Sequence, residues 1–311
     1  MSRKKLLLVY NPFSGKGGIT RALHEIIAIF TADGFDVTAH PTSRSGDGRD
    51  FIAEYAEDFD LVCSCGGDGM LHELFDGMKS HSRDIPCGYL PAGTMNDFAA
   101  SIGLPLSLTE AADTIVRGNF KRVDAGLFNG ERFAYVAAFG AFSEISYSTD
   151  QQLKNVFGSF AYFIKGVKLF DLNYFSDQSA HLRITADGKT VEGDFVFGMA
   201  GNTLSVAGMT TLVPEGAAMD DGLLDCLFIR TPRHLSDLEK IRAAAQNESL
   251  DNGSIIRIRT DKLLIESDRP LSWDLDGEFG GECDRAEIST QQKAMLIAAP
   301  AEDSAAEEYI P

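Results

Sequence analysis

The chain has 311 residues, of which 44% are hydrophobic and 24% are charged, so it is long enough for two domains with buried cores. Its 28 basic and 46 acidic residues give a formal net charge of -18, which argues against broad, non-specific binding to nucleic acid or to an anionic membrane. Five cysteines without metal-binding spacing, and no signal peptide or long apolar stretch, predict reduced thiols in a cytoplasmic protein.

The part of the chain up to about residue 125 alternates short apolar runs with stretches of helical spacing. This order predicts an α/β domain over residues 1–125, with a mostly parallel sheet covered by helices. Cys63 and Cys65 fall on one face of a predicted strand, where we expect them to pack as small apolar residues. The predicted strands are Lys4–Tyr10, Phe35–Pro41 and Asp60–Cys65, and the predicted helices are Thr20–Phe30, Asp50–Phe59 and Leu71–Met78.

Beyond residue 125 the turn signals change. Asn129-Gly130 and Asp187-Gly188 lie between strand-like runs, and such dipeptides are typical of tight β-hairpins. This half therefore predicts antiparallel β structure over residues 126–290. The strand-like runs include His181–Thr185, Thr190–Met199, Ser254–Thr260 and Lys262–Ser267.

Three glycine-rich turns, called the glycine turns below, follow strands of the first half: Asn11–Gly18, Gly66–Gly69 and Pro91–Ala99. The first lacks the spacing of a Walker phosphate loop. Ligands of open α/β sheets bind at the carboxyl ends of the strands, so three such turns on neighbouring strands are expected to converge on one crevice. Each turn alone is equally consistent with an ordinary strand-to-helix connection.

The second glycine turn has the clearest chemistry. Glycines around Asp68 let bare backbone approach an anion, and the N–H groups of the following helix point toward it. A carboxylate in a phosphate site repels its ligand unless a cation accompanies it, so the functional interpretation predicts Mg²⁺ with a nucleotide. The alternative is a tight turn in which Asp68 caps the helix. In the third turn, Asn96 or Asp97 is a candidate helix cap.

The glycine turns, together with Val213–Cys226 ("VPEGAAMDDGLLDC") and Asp274–Glu278 ("DLDGE"), resemble the bacterial diacylglycerol kinase-like lipid kinases. The motifs occur in the family's order and span nearly the whole chain. The resemblance implies an N-terminal nucleotide-binding domain, α/β and similar to NAD kinases. It also implies an all-β, sandwich-like C-terminal domain, a last segment of about 291–311 that returns to the first domain, and ATP in the cleft between the domains.

The resemblance also implies the site residues. Glu278 matches the family's proton acceptor, with Asp68 beside the nucleotide as the second catalytic residue. A structural Mg²⁺ is implied near Ala218, Asp221 and Leu223, two of them through backbone carbonyls. The implied ATP-binding positions are Asn11, Pro12, Phe13, Ser14, Gly15, Thr42, Gly66, Gly67, Asp68, Gly69, Met70, Leu71, His72, Glu73, Thr94 and Asn96.

Plainer interpretations of the same residues stay open. "DLDGE" is also typical of a hairpin turn with an exposed glutamate, and Asp220, Asp221 and Asp225 fit a solvated turn before a strand. Two positions depart from the family pattern: Met70 stands where threonine is usual, and His72 where asparagine is frequent. Loss of one threonine hydrogen bond, about 0.5 to 1.5 kcal/mol, predicts ATP binding that is weaker by about two- to tenfold.

The segment Lys154–Phe170 combines three lysines with five aromatic residues and has no acidic residue. Apolar residues recur at helical spacing, so the segment predicts a helix that lines an acyl-chain groove or touches the membrane surface. The alternative is a core-facing helix with solvated lysines.

These features predict an ATP- and Mg²⁺-dependent lipid kinase that phosphorylates a hydroxyl of diacylglycerol or a related lipid. Such an enzyme is expected to be cytoplasmic, with transient membrane association and no nucleic-acid partner, and a homodimer stays open. The alternatives are a soluble-substrate kinase of the NAD kinase type and a non-catalytic nucleotide or lipid sensor.

Overall fold

A computed structural model of the chain describes residues 3–14, 18–81, 83–93, 96–140, 172–204, 216–246 and 253–301. These residues divide into two compact units. The first unit contains the described residues up to Val123 and those from Lys293 onward, and the second runs from Asp124 to Gln292. The boundaries lie close to those predicted at about residues 125 and 291.

The first unit has the expected alternation of strands and helices. Its strands are β1 (Lys4–Tyr10), β2 (Phe35–Pro41), β3 (Leu61–Gly66) and β4 (Cys87–Pro91). Its helices are α1 (Gly18–Ala32), α2 (Asp47–Tyr55), α3 (Asp68–Gly77), α4 (Asp97–Ser101) and α5 (Leu108–Val116), with single 3₁₀ turns at Ala56–Asp58 and Met78–Ser80. The α/β character predicted for this half is confirmed.

The strands of the first unit pair in the order β2-β1-β3-β4, and each of these pairings is parallel. Beside β4, Ile297 near the end of the last strand, β13 (Glu278–Ala298), pairs in parallel with Cys87. Because helices cover such a sheet, β3 is buried along its whole length.

Cys63 and Cys65 lie on β3, and both are free and buried. Burial raises the pKa of the Cys65 thiol to about 12. A thiol that stays protonated is a poor metal ligand and nucleophile. The predicted packing role of the two cysteines is confirmed.

The second unit is built from antiparallel strands. They are β5 (Phe120–Phe128, which begins in the first unit), β6 (Glu131–Phe133), β7 (Val136–Gly140), β8 (Ala180–Ala186), β9 (Lys189–Gly201), β10 (Leu224–Arg230), β11 (Ile255–Thr260), β12 (Lys262–Leu275) and β13. β7 and β8 each pair with both β9 and β12, so these four strands close into a ring. The core of the unit is aromatic-rich, with Trp273 packed between Phe128 and Phe139.

The two predicted hairpins are confirmed. Asn129-Gly130 joins β5 to β6 and Asp187-Gly188 joins β8 to β9. In both dipeptides both residues have positive φ, 48° and 89° in the first and 50° and 71° in the second. These are type I′ turns, whose twist matches that of the strands they join.

The expectation of an all-β second domain is wrong in one respect. Two helices, α6 (Leu172–Asp177) and α7 (Leu235–Gln246), belong to this unit, which is therefore β-rich. Alanine, leucine, lysine and glutamate favour a helix over the α7 sequence. Asp237 in its first turn accepts the N–H groups of Arg233 and His234 at 3.1 and 2.9 Å, which fixes where this helix begins.

The predicted lipid-facing helix, Lys154–Phe170, lies outside the described residues. Among the helices that the structure describes, none combines the length and apolarity that a membrane crossing requires.

Candidate functional site

The described parts of the glycine turns lie against one another in the first unit. A β-carbon added to Gly66 would lie 3.6 Å from the Ser14 hydroxyl oxygen of the first turn. A β-carbon added to Gly67 would lie 3.3 Å from the α-carbon of Gly93 in the third turn. The convergence predicted from the sequence is therefore found. Gly15 and Thr94 lie outside the described residues.

Backbone hydrogen bonds hold the turns together. The Asn11 N–H donates to the Cys65 carbonyl at 3.1 Å, which links the first turn to the end of β3. The Gly66 carbonyl accepts both the Ala92 N–H at 2.7 Å and the Tyr89 hydroxyl at 3.1 Å. The second turn is thus fixed from both neighbouring strands before any ligand binds.

Close packing explains why glycines are needed here. A β-carbon on Gly93 would lie 2.8 Å from the Gly67 α-carbon and 2.7 Å from the Asn96 amide oxygen, and a β-carbon on Gly66 would lie 2.7 Å from the Met70 β-carbon. Side chains at these positions would force the backbone apart. The surface that the turns present is therefore largely bare backbone, which suits a bulky anion.

The helix α3 begins directly at this surface. Gly67 is its N-cap, in an extended conformation and without a side-chain cap hydrogen bond, and Asp68 is the first helical residue. The N–H groups of Met70 and Leu71 turn back to the Gly67 carbonyl at 3.0 and 3.2 Å. Asp68 therefore sits in the first turn of the helix instead of serving as its N-cap, the alternative left open by the sequence.

Asn96 occupies the N-cap position of α4, as predicted, but its side chain makes its hydrogen bonds elsewhere. Its side chain accepts the Gly93 N–H at 2.9 Å and donates to the Gly93 carbonyl at 3.0 Å. A left-handed backbone at Asn96, with φ 54°, turns the side chain back toward Gly93, so α4 begins without a side-chain cap hydrogen bond. Asn96 thus closes the third glycine turn.

Several positions assigned to ATP by resemblance are packed beneath the turns. Met70 is 4% exposed, and its methyl carbon lies 3.2 Å from where a Gly48 β-carbon would be. Glu73 accepts the N–H groups of Gly46 and Arg49 at 2.8 and 3.0 Å, which fixes the start of α2. Thr42, Leu71 and His72 are also buried. Direct contact of these residues with ATP stays a prediction.

Other assigned positions are accessible. Phe13 is 84% exposed, and the Asn11 side-chain oxygen accepts its N–H at 2.9 Å, an Asx-turn that fixes the first glycine turn. The remaining assigned residues of this group, Pro12, Ser14, Gly67, Asp68 and Gly69, are half-buried.

In the second unit, "DLDGE" forms the β12–β13 hairpin. Asp276 and Gly277 have φ of 53° and 90°, a type I′ turn that pairs Leu275 with Glu278. The Asp276 carboxylate is fully buried and accepts three backbone N–H groups, from Ala134, Tyr135 and Val136, at 2.6, 2.9 and 3.0 Å.

The three carboxylates of this hairpin therefore differ in role. Asp276 anchors the turn, and Asp274 accepts the Gly277 N–H at 2.8 Å. Glu278 follows the turn as the first residue of β13 and is exposed. The hairpin predicted as the plainer interpretation exists, and it holds the glutamate that the resemblance names at a fixed backbone position. The anchoring role of Asp276 has no signal in the sequence.

Residues 216–225, called the 216–225 turn below, contain the predicted metal ligands. The Asp221 carboxylate accepts the Leu223 N–H at 2.9 Å and the Ala218 N–H at 3.1 Å. The Arg259 guanidinium, on β11, donates to the same carboxylate and to the Gly216 carbonyl, the latter at 3.0 Å. Sequence reasoning missed Arg259, which no motif marks.

Asp124 and Asn202 hold the 216–225 turn from its buried side, and both were also missed. The Asp124 carboxylate accepts the Gly222 N–H at 2.6 Å, and the Asp124 N–H donates to Met219 at 2.7 Å. The Asn202 side chain donates to the Asp124 carbonyl at 2.9 Å. Nearby, burial raises the pKa of Asp225 to about 6, an effect that Arg259 opposes and Asp221 reinforces.

The two sites differ in how well they suit the groups expected there. The glycine turns suit a nucleotide phosphate, because they pack so closely that added β-carbons would collide with neighbouring atoms, which leaves backbone at the carboxyl ends of the strands. The Asp221 carboxylate, the one side-chain ligand of the implied cation, is already paired with the Arg259 guanidinium. Within the described part of the chain, no three His, Cys, Asp or Glu side chains group in a way that could hold a metal ion.

Comparison with known proteins gives consistent matches over both units. Family models of the "diacylglycerol kinase catalytic domain" and of the "YegS C-terminal NAD kinase beta sandwich-like domain" match residues 5–128 and 137–296. The diacylglycerol kinase of Staphylococcus carnosus is 32% identical over 282 residues, 90% of each chain, and that of Bacillus subtilis is 29% identical over 280 residues, 89% of this chain and 91% of its own.

Solved structures agree in fold. The crystal structure of a diacylglycerol kinase from Bacillus anthracis has a TM-score of 0.79 at 24% identity, covering 96% of this chain and 98% of its own. A second crystal structure from that organism has a TM-score of 0.81 at 26% identity over 96% of both chains. The chain belongs to the diacylglycerol kinase family.

Proposed function

We propose that the chain is an ATP- and Mg²⁺-dependent lipid kinase that transfers the γ-phosphate to a hydroxyl of diacylglycerol or a related lipid. The observation that carries the proposal is the interlocking of the glycine turns at the carboxyl ends of β1, β3 and β4. Family membership supports the reaction class.

Bare backbone at Gly66, Gly67 and Gly93 receives the phosphates, aided by the positive end of the α3 dipole. The exposed Phe13 ring, within the first turn, offers an apolar face for the base. Asp68 would hold the Mg²⁺ that accompanies the nucleotide, and that ion would supply neutralisation of the phosphate charge. In this proposal backbone N–H groups bind the phosphates, and the Asp68 carboxylate binds the accompanying cation.

Glu278 takes the proton of the attacking hydroxyl. The lipid oxygen bonds to the γ-phosphorus, the bond from that phosphorus to the bridging oxygen of ADP breaks, and the hydroxyl proton goes to the carboxylate. An exposed carboxylate at the end of a two-residue turn is suited to this task, because its backbone is fixed and its side chain is accessible. No covalent enzyme intermediate is needed.

Because the proposed substrate is a membrane lipid, the reaction takes place at a membrane surface, and the enzyme itself is cytoplasmic. Contact through Lys154–Phe170 stays a prediction of the sequence. Serine at both Phe160 and Phe163 is expected to reduce binding to lipid vesicles, and unchanged binding by the folded variant would remove that part of the proposal.

Labelled ATP tests the proposal against its two alternatives. The full chain is incubated with [γ-³²P]ATP and Mg²⁺, once with diacylglycerol and other lipids in mixed micelles and once with NAD. The proposal predicts labelled lipid, and no label when EDTA removes the metal. Labelled dinucleotide would instead support a kinase of the NAD kinase type, and nucleotide binding without any transfer would support a sensor.

A further inference from the structure

The structural cation implied near Asp221 has a counterpart within the chain itself. We propose that the guanidinium of Arg259 stands in the cation position of the 216–225 turn, so that this unit needs no divalent ion there. The proposal concerns the second unit alone and is independent of the nucleotide-bound Mg²⁺ assigned to the first.

The Asp221 carboxylate is already engaged at both oxygens. Its Oδ1 accepts the Leu223 N–H at 2.9 Å, and its Oδ2 accepts the Ala218 N–H at 3.1 Å as well as an Arg259 N–H. Mg²⁺ requires oxygen ligands at about 2.0–2.1 Å in near-octahedral geometry. A permanently charged guanidinium on the same oxygen excludes a second cation by occupying its place and by charge repulsion.

Arg259 also makes the bridges expected of a bound ion. Its Nη2 donates to the Gly216 carbonyl at 3.0 Å, at the start of the turn, and its Nε lies 3.5 Å from Oδ1 of Asp225, at the end. One side chain therefore joins a backbone carbonyl to two carboxylates. A divalent ion in a protein turn does the same, with the same types of oxygen.

The sheet places Arg259 where this is required. β10 and β11 are antiparallel, and Arg259 is paired in register with Asp225. Directly opposed residues of neighbouring strands present their side chains on the same face, so the arginine reaches the turn without leaving its strand. Its side chain is 33% exposed and that of Asp221 is 22% exposed, so water screens the pair only in part.

Two further carboxylates, Asp124 on β5 and Asp220 in the turn, do not call for an ion either. Asp124 accepts the Gly222 N–H at 2.6 Å, and Asp220 is exposed to solvent. The charge that needs compensation is that of Asp221 and Asp225, and Arg259 contacts both.

Thermal unfolding without nucleotide tests the proposal, in EDTA and in millimolar MgCl₂ at matched ionic strength. The wild-type midpoint is expected to be the same in both. For Arg259→Ala the midpoint in EDTA is expected to fall by about 4 °C. Mg²⁺ is expected to restore part of that loss, because the vacated carboxylates then face a space that a cation can enter.

Arg257→Ala is the matched control. Arg257 lies two residues earlier on β11, donates to the Ala244 carbonyl at 2.8 Å, and its loss changes the net charge equally. Its midpoint is expected to respond to Mg²⁺ no more than that of the wild type. A wild-type unfolding midpoint that falls in EDTA and recovers in Mg²⁺ would overturn the proposal. This comparison uses the wild-type protein alone, so it does not depend on whether a variant folds. An Arg259→Ala protein without a gain in Mg²⁺ response would overturn it too.

Discussion

The glycine turns of the first unit and the acidic turns of the second are built by opposite means. In the first, glycines let backbones touch, and neighbouring carbonyl and N–H groups fix the surface. In the second, carboxylates at Asp221 and Asp276 accept backbone N–H groups and fix the turns themselves. An acidic residue in a motif is therefore as easily a structural anchor as a chemical group, and only its hydrogen bonds distinguish the two.

The comparison is sharpest within the β12–β13 hairpin. Asp276 and Glu278 are two residues apart, yet the first is fully buried with three backbone donors and the second is exposed. Substituting the two should separate folding from chemistry. Loss of Asp276 is expected to destabilise the unit, whereas loss of Glu278 is expected to leave a stable, inactive protein.

Asp276→Ala is the largest expected effect on stability. It leaves three buried N–H groups without their acceptor, so the free energy of unfolding should fall by about 3 to 5 kcal/mol. Urea unfolding measures the change. Asp284→Ala, which removes an exposed aspartate of β13, is the control and should change it by less than about 0.5 kcal/mol. Equal stability of the two variants would show that the three hydrogen bonds are not an anchor.

Met70→Thr, which restores the residue usual in the family, comes next. The structure places Met70 in the packing beneath the second glycine turn. The shorter side chain should lower the free energy of unfolding by about 2 to 4 kcal/mol, while ATP affinity changes by less than about tenfold. Met70→Leu, which keeps the volume, should cost less than about 1.5 kcal/mol. An unchanged stability of the threonine variant contradicts the packing role.

Gly93→Ala tests the close approach of the glycine turns. The added carbon would lie 2.8 Å from the Gly67 α-carbon, so the turns must separate, at a cost of about 1 to 3 kcal/mol of stability. ATP affinity, measured by calorimetry, should fall by about tenfold or more, because the phosphate surface is displaced. In Gly18→Ala the new carbon meets no atom within 4 Å, and stability should change by less than about 1 kcal/mol. An ATP affinity of folded Gly93→Ala that equals that of the wild type would contradict the proposed role of the close approach.

The smallest expected effect is on the pKa of His181, which pairs with Asp194. Asp194 is a carboxylate of the second unit that is not among the turn anchors described above. The 2.9 Å hydrogen bond of the pair raises the pKa of His181 and lowers that of Asp194. The pair stabilises the fold fully between about pH 4, above which the Asp194 carboxyl is ionised, and about pH 6.5. The contribution is lost as pH rises through the raised folded pKa of His181, and also as pH falls through the lowered folded pKa of Asp194. In Asp194→Asn, NMR titration should give a lower His181 pKa. An unchanged value contradicts the pairing.

Much of the first unit could be predicted from the sequence because its strands are buried runs punctuated by glycine. β1 and β2 have the predicted bounds, and the convergence of the turns follows from parallel strand order. Asn96 is at the N-cap of α4 as predicted, but its left-handed backbone directs the side chain to Gly93, a direction that no periodicity encodes.

The second unit was harder to predict because its anchors act across long sequence separations. Arg259 meets Asp221 from 38 residues away, and Asp276 meets Tyr135 from 141 residues away. Neither pairing leaves a local pattern. Hairpins such as Asn129-Gly130 were found because their signal lies within two residues.

The proposed roles of Asp68 at the phosphates and of Glu278 as proton acceptor are tested most directly by the rate of phosphate transfer to diacylglycerol in Asp68→Ala and Glu278→Gln. Both variants are expected to fold and to lose at least about a hundredfold in turnover, a loss of ~2.7 kcal/mol in transition-state stabilisation. Glu282→Gln, an exposed glutamate on the same strand as Glu278, is expected to keep the wild-type rate. Near-normal turnover in either folded variant would contradict the account.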